Sequence, residues 1–191
     1  MSPLEIIAVA VSFLGIWLTA GRRMLCWPVN LLACTLYFKL FLDVKLYADM
    51  ALQALFGVAI LYGWIVWARG KEETGEIVVR PLPAMHAAAG LAAGAAGAAA
   101  IGWFTSHHTD AALPWMDATL SSFSLVAQYW TARRQAASWL LWITVDVVYV
   151  GMFVFKGLWL TAGLYAAMVG LAVLGYRRWR QAQSGDRTVI A

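Results

Sequence analysis

The sequence predicts an all-α membrane protein with seven transmembrane helices in a 3+1+3 arrangement of parallel repeats. Three observations carry that prediction. Of 191 residues, 62% are hydrophobic and only 13% are charged, which is too apolar for a soluble domain of this length. Polar or turn-forming breaks divide the chain into seven segments long enough to cross a bilayer. A shift of 112 residues, without gaps, lays the first three segments on the last three, with 12 identities in the 56 positions from 12 to 67.

The spans fall near 4–20, 24–42, 46–68, 85–104, 113–131, 136–155 and 158–176. The breaks between them are Gly21-Arg22-Arg23, Asp43-Val44-Lys45, Arg69 to Pro83, Ser106 to Asp110, Arg133-Arg134-Gln135 and Lys156-Gly157. The first segment lacks a basic leader and carries Glu5, so it reads as a span rather than a signal peptide. Residues 4–68 form the first repeat, 85–104 the linker, 113–176 the second repeat and 177–191 a polar, frayed cytoplasmic tail.

The matched positions include Ser12 with Ser124, Thr19 with Thr131, Arg22 with Arg134, Trp27 with Trp139 and Tyr37 with Tyr149. Further on, Phe41 matches Phe153, Gly63 matches Gly175 and Trp67 matches Trp179. A single linker span returns the chain to the side on which it began, so both repeats run the same way. Such an axis along the membrane normal occurs among transporters, with the substrate site near the midplane between the repeats.

Orientation follows from the basic residues. Arg22, Arg23, Arg69, Lys71, Arg80, Arg133, Arg134, Arg177, Arg178, Arg180 and Arg187 fall on one side. Only Lys39, Lys45 and Lys156 fall on the other. The richer side is expected to be cytoplasmic, which puts the amino terminus outside and the carboxyl terminus inside.

The fourth span is built of alanine and glycine, with Gly90 and Gly94 forming a GxxxG. Such surfaces let backbones approach closely in lipid, either on the bundle or at a subunit contact. Cys26 and Cys34 lie in one apolar segment and read as small hydrophobes.

The chemistry concentrates on the sixth span. Trp139, Trp142, Asp146 and Tyr149 are spaced 3, 4 and 3, which places them on one helical face. A carboxylate in the middle of a membrane-length helix is costly and marks a functional position; a structural pairing with a neighbouring helix is the plainer alternative. On the second span the equivalent face carries Trp27, Asn30, Cys34 and Tyr37. The fifth span has Asp117, Ser121, Ser124, Gln128 and Thr131 on one face, and the third has Asp49 and Gln53. On the seventh, Thr161 and Tyr165 take the repeat positions of Asp49 and Gln53.

Each of these has a plainer reading. Trp64, Trp67, Trp159 and Trp179 lie near span ends, where an interfacial aromatic belt explains them. Serine and threonine in such helices commonly bond the carbonyl one turn back. Asp49 and Asp117 lie near outer span ends, in a vestibule or favouring a helix amino terminus. Asp146 and Gln53 are deeper.

Indoles, phenols and a carboxylate together suit a flat, cationic, hydroxylated solute. Aromatic faces attract cations and stack on rings, and Gln, Asn and Ser read hydroxyls or an amide. There is no Walker sequence, nucleophile elbow or HExxH. Neither ATP hydrolysis nor hydrolase chemistry is indicated, and no cofactor, metal or nucleic acid is expected. His107-His108 is a weak metal signal. The candidate substrate-binding set is Asp49, Gln53, Trp139, Trp142, Asp146, Tyr149, Tyr37, Asn30, Ser121, Ser124, Gln128 and Tyr165. A membrane scaffold and an intramembrane enzyme are the rival classes.

Several blocks resemble the PnuC family of nicotinamide riboside transporters. They are Cys26-Trp27-Pro28, Leu46-Tyr47-Ala48-Asp49-Met50-Ala51-Leu52-Gln53, Tyr62-Gly63-Trp64 with Trp67, Trp139-Leu140-Leu141-Trp142 with Asp146, and Gly157-Leu158-Trp159 with Thr161. The resemblance spans roughly residues 4 to 180. It implies a 3+1+3 fold similar to the SWEET sugar transporters, a homotrimer in the bacterial inner membrane, and facilitated diffusion of an unphosphorylated vitamin trapped by a cytoplasmic kinase. Related branches carry thiamine or other vitamins, and some members have Asn at the position of Asp146. Nicotinamide riboside and thiamine both carry a ring cation, so a carboxylate suits either.

Overall fold

The computed structural model describes residues 3–43, 47–74, 77–109, 113–155, 157 and 159–190, with the side chains of 47–49, 72–74 and 186–190 outside the description. Among the described residues seven helices follow one another: α1 (Pro3–Ala20), α2 (Cys26–Asp43), α3 (Tyr47–Thr74), α4 (Ala84–His108), α5 (Pro114–Ala132), α6 (Ala137–Phe155) and α7 (Trp159–Ile190). Each begins within a few residues of a predicted span. Pro28 sits in the first turn of α2 and Pro114 starts α5, where a missing N–H costs no intrahelical bond.

Five of these helices are long and apolar enough to cross a membrane: α1, α3, α4, α6 and α7. The other two, α2 and α5, carry much of the polar face already described. The outside of the molecule is apolar. Val58 is 67% exposed and Leu160 76%, whereas Arg134, Gln135, Ser138 and Asp146 are buried. That inverts the distribution of a soluble protein and matches a surface solvated by lipid.

Among the described residues helix α4 packs on α5 alone, while the other six close a ring: α1 on α2, α2 on α3, α3 on α5, α5 on α6, α6 on α7 and α7 on α1. Advancing each helix by the 112-residue shift maps this ring onto itself. The glycines of α4 fit beneath side chains of α5: Gly90 under Trp130, Gly94 under Phe123 and Gly97 under Ser122. Ser122 Oγ donates to the Gly94 carbonyl at 2.8 Å.

The two turns that follow α1 and α5 are near copies. Arg22 and Arg134 stand at φ 54° and 63°, a left-handed conformation uncommon for residues other than glycine. Their amides donate to Thr19 and Thr131, both at 3.0 Å. The segment before α4 folds beneath both turns. Arg22 donates to the Ile77 carbonyl at 2.9 Å, the Arg80 amide donates to the Arg134 carbonyl at 2.9 Å, and Ile77 and Val79 are buried.

Two expectations are corrected here. Trp67 and Trp179 are not interfacial anchors: both are 0% exposed. They sit at 5.8 Å from each other, and Trp27 and Trp139 meet them edge-on at 5.1 and 5.6 Å. Their position near span ends predicted an aromatic belt, but they face the axis of the bundle rather than its rim. Trp159, at 70% exposure, does face outward. The tail also departs from expectation, because α7 continues to Ile190. Loss of apolarity ends a span but does not end a helix, and buried Trp179 ties its first extra turn to the bundle.

Candidate functional site

A cavity of about 270 Å³ lies inside the ring, lined by every helix except α4. Residues of α1 and α2 form one wall: Ser12, Ile16 and Thr19, then Trp27, Asn30, Ala33, Cys34 and Tyr37. Gln53, Phe56 and Ile60 of α3 continue it. Opposite stand Gln128 and Thr131 of α5, Trp139, Trp142 and Asp146 of α6, and Met168 and Ala172 of α7.

The lining follows the 112-residue shift. Ile16 and Gln128, Thr19 and Thr131, Trp27 and Trp139, Asn30 and Trp142, Cys34 and Asp146, Phe56 and Met168, and Ile60 and Ala172 are shift mates, and all of them line the cavity. Glycines make room for the matched tryptophans: the Trp27 ring lies on Gly63 and the Trp139 ring on Gly175. Gly15 does the same for Asn30.

Seven of the expected site residues thus meet around one space: Asn30, Tyr37, Gln53, Gln128, Trp139, Trp142 and Asp146. Four do not line it: Ser121, Ser124, Tyr149 and Tyr165. Asp49 is helical, but its side chain lies outside the described residues. The two tyrosines among them have a common cause. Tyr149 and Tyr165 pack on each other at 4.8 Å and both pack on Phe153, at 5.9 and 5.2 Å. Tyr165 stands where the first half has Gln53, and its ring is packed against Tyr149 and Phe153 rather than on the cavity. The cavity is therefore biased toward the first half at the level of Ser12, Tyr37 and Gln53.

The candidate substrate-binding set omits Ser12, Thr19 and Thr131, which line the cavity, although spacing places Thr131 on the face of Gln128. The signal was present: Thr19 and Thr131 are repeat mates, one turn from known polar positions. Each donates its hydroxyl one turn back, Thr19 to Gly15 at 2.8 Å and Thr131 to Ala127 at 2.9 Å. That is the plainer fate expected of them, but it leaves the oxygen free to accept as well.

Among the described residues Asp146 is the one acidic group lining the cavity, and it is 8% exposed. Among the described residues no hydrogen bond or ion pair engages its carboxylate. A buried carboxylate without a protein partner is expensive, and a cation in the cavity would supply the missing charge. Cys34, its mate, lies 3.2 Å from Gln53 Oε1 and 2.8 Å from the Gln53 carbonyl oxygen, so a thiol donor is satisfied where the second half places a charge. Trp27 and Trp139 line the cavity with their rings, and among the described residues their buried indole N–H groups have no hydrogen-bond partner. Among the described residues no cluster of three metal-binding side chains occurs.

Residues 2–181 match the family described as nicotinamide mononucleotide transporter. The nicotinamide riboside transporter PnuC of Escherichia coli is 25% identical over 207 residues, covering 94% of this chain and 85% of that protein. The riboflavin/roseoflavin transporter RibM of Streptomyces davaonensis is 30% identical over 161 residues, covering 83% and 75%. A crystal structure of the vitamin B3 transporter PnuC aligns with a TM-score of 0.74 at 24% identity, covering 95% of this chain and 82% of that one; the two share a fold. The chain belongs to the nicotinamide mononucleotide transporter family, that of the PnuC proteins, and is a multi-pass membrane transporter rather than an enzyme.

Proposed function

We propose that this protein takes up nicotinamide riboside across the bacterial inner membrane by facilitated diffusion, with a cytoplasmic kinase trapping the product. The carrying observation is the Asp146 carboxylate, buried without a partner among the described residues in a cavity that also holds Trp139 and Trp142. The indoles suit a flat cationic ring, the carboxylate its charge, and Asn30, Gln53 and Gln128 a carboxamide and ribose hydroxyls. The names of the PnuC relatives agree with that solute.

Riboflavin is the second reading, favoured by the 30% identity to RibM. The carboxylate argues against it, because riboflavin carries no ring cation to offset the buried charge. Thiamine, which does carry one, remains the alternative on chemistry alone.

The transport frame in this proposal is 3+1+3: residues 4–68 and 113–176 as parallel repeats, 85–104 as the linker, and a SWEET-like rocking of the halves about the cavity. The self-mapping ring of contacts and the shared lining support it. The excess of arginine on one side supports an external amino terminus and a cytoplasmic carboxyl terminus, and the homotrimer is carried over from the family resemblance.

Purified protein in liposomes should take up labelled nicotinamide riboside saturably and without ATP, with excess thiamine and riboflavin competing weakly. No saturable flux of nicotinamide riboside would overturn the proposal, and preferential competition by riboflavin would transfer it to the second reading.

A further inference from the structure

Two buried threonines hold the cavity together in an unusual way. Thr131 Oγ1 donates to the Ala127 carbonyl and accepts the indole N–H of Trp142 at 3.3 Å. Its main-chain carbonyl accepts the indole N–H of Trp67, from the other half of the chain, at 3.3 Å. Thr19 repeats the pattern. Its hydroxyl donates to Gly15 and accepts Asn30 Nδ2 at 3.2 Å, and its carbonyl accepts the indole N–H of Trp179 at 3.2 Å.

We infer that Thr19 and Thr131 are positioning residues: each fixes one cavity-lining donor, Asn30 or Trp142, and ties it to the contact between the two halves. The inference rests on the transport reading above for its ligand, but not for its geometry. A hydroxyl has one proton and two lone pairs. With the proton committed to the helix, the oxygen can only accept, so it dictates which way the amide of Asn30 and the indole of Trp142 turn. Both threonines are buried, at 6% and 5% exposure, and each oxygen already accepts one side-chain donor.

The reciprocal indole bonds give the arrangement a second consequence. Trp67 of the first half reaches Thr131, and Trp179 of the second reaches Thr19. Any relative movement of the halves that breaks these bonds acts on the same residues that orient the cavity wall. The sequence signature is Thr-Ala-x-Arg at 19–22 and again at 131–134.

The test compares Thr131→Val, which keeps the shape and removes the hydroxyl, with Thr131→Ser, which keeps the hydroxyl. Nicotinamide riboside is the probe, titrated against each variant in nanodiscs. Thr131→Val should weaken binding by about five- to tenfold, the worth of one hydrogen bond, and Thr131→Ser should stay near the parent. In parallel, the Trp142 indole resonance of ¹⁵N-tryptophan-labelled protein, assigned with Trp142→Phe, should move in the valine variant and not in the serine variant. Parental affinity in Thr131→Val, equal losses in both variants, or an unmoved indole resonance would each overturn the inference. If the parent protein binds no nicotinamide riboside, the transport reading fails, and the ligand-free resonance alone decides the role of Thr131.

Discussion

Replacing Asp146 by Asn tests the site most directly, because it removes the charge and keeps the shape. A cation about 5 Å from the carboxylate, at an effective dielectric of about 20, gains roughly 3 kcal/mol. The amide retains a neutral hydrogen bond of about 1 kcal/mol. The difference of about 2 kcal/mol weakens Kd for nicotinamide riboside by about 30-fold. The unliganded protein should behave oppositely. Asp146 is 8% exposed and engages no described partner, so removing its charge should leave the melting temperature unchanged or raise it. Calorimetric titration and thermal unfolding of the same preparations give both numbers. Parental affinity for the cation would remove Asp146 from the site. A melting temperature lowered along with affinity would mean that the carboxylate serves the fold, and the charge argument would fail.

Trp142→Ala removes an indole that lines the cavity and should weaken vitamin binding by about 1–3 kcal/mol as stacking and a cation–π contact are lost, read in the same titration. Gly63→Ala and Gly175→Ala each place a methyl against the ring of Trp27 or Trp139; overpacking should destabilise each by about 1–3 kcal/mol, seen in thermal unfolding, and by similar amounts because the positions are mates. Ser122→Ala loses the bond to the Gly94 carbonyl; a cost of about 1 kcal/mol with unchanged transport would confirm that α4 is held structurally. Trp67→Phe and Trp179→Phe keep an aromatic ring but lose the bonds to Thr131 and Thr19 and part of a fully buried indole; lost bond and cavity together should cost about 2–4 kcal/mol each, and unfolding curves that coincide with the parent would refute it.

Membrane residence, the helix positions and the polar faces were legible in the sequence, because composition and a 3.6-residue period report them directly. Asn30, Gln128, Trp142 and Asp146 reached the cavity as their spacing required. Ser121 and Ser124 share a face with Gln128, yet they do not line it, while Ser122, off that stripe, bonds α4. A helical period says which residues point together; it does not say toward which neighbour. Only the packed bundle decides that.

The tryptophans make the same point from the other side. Trp67 and Trp159 look alike in sequence, each near the end of an apolar run. One is fully buried on the axis and the other largely exposed, because burial depends on helix rotation within the ring. The sequence alone determined that this chain is a membrane bundle with an internal 112-residue correspondence and a carboxylate inside it. Tertiary structure decided that Thr19 and Thr131 join the cavity to the inter-half contacts, and that Gln53 lines the cavity while its mate Tyr165 packs on Tyr149 and Phe153. Those outcomes rest on distances between residues far apart in the chain, which neither local period nor composition encodes.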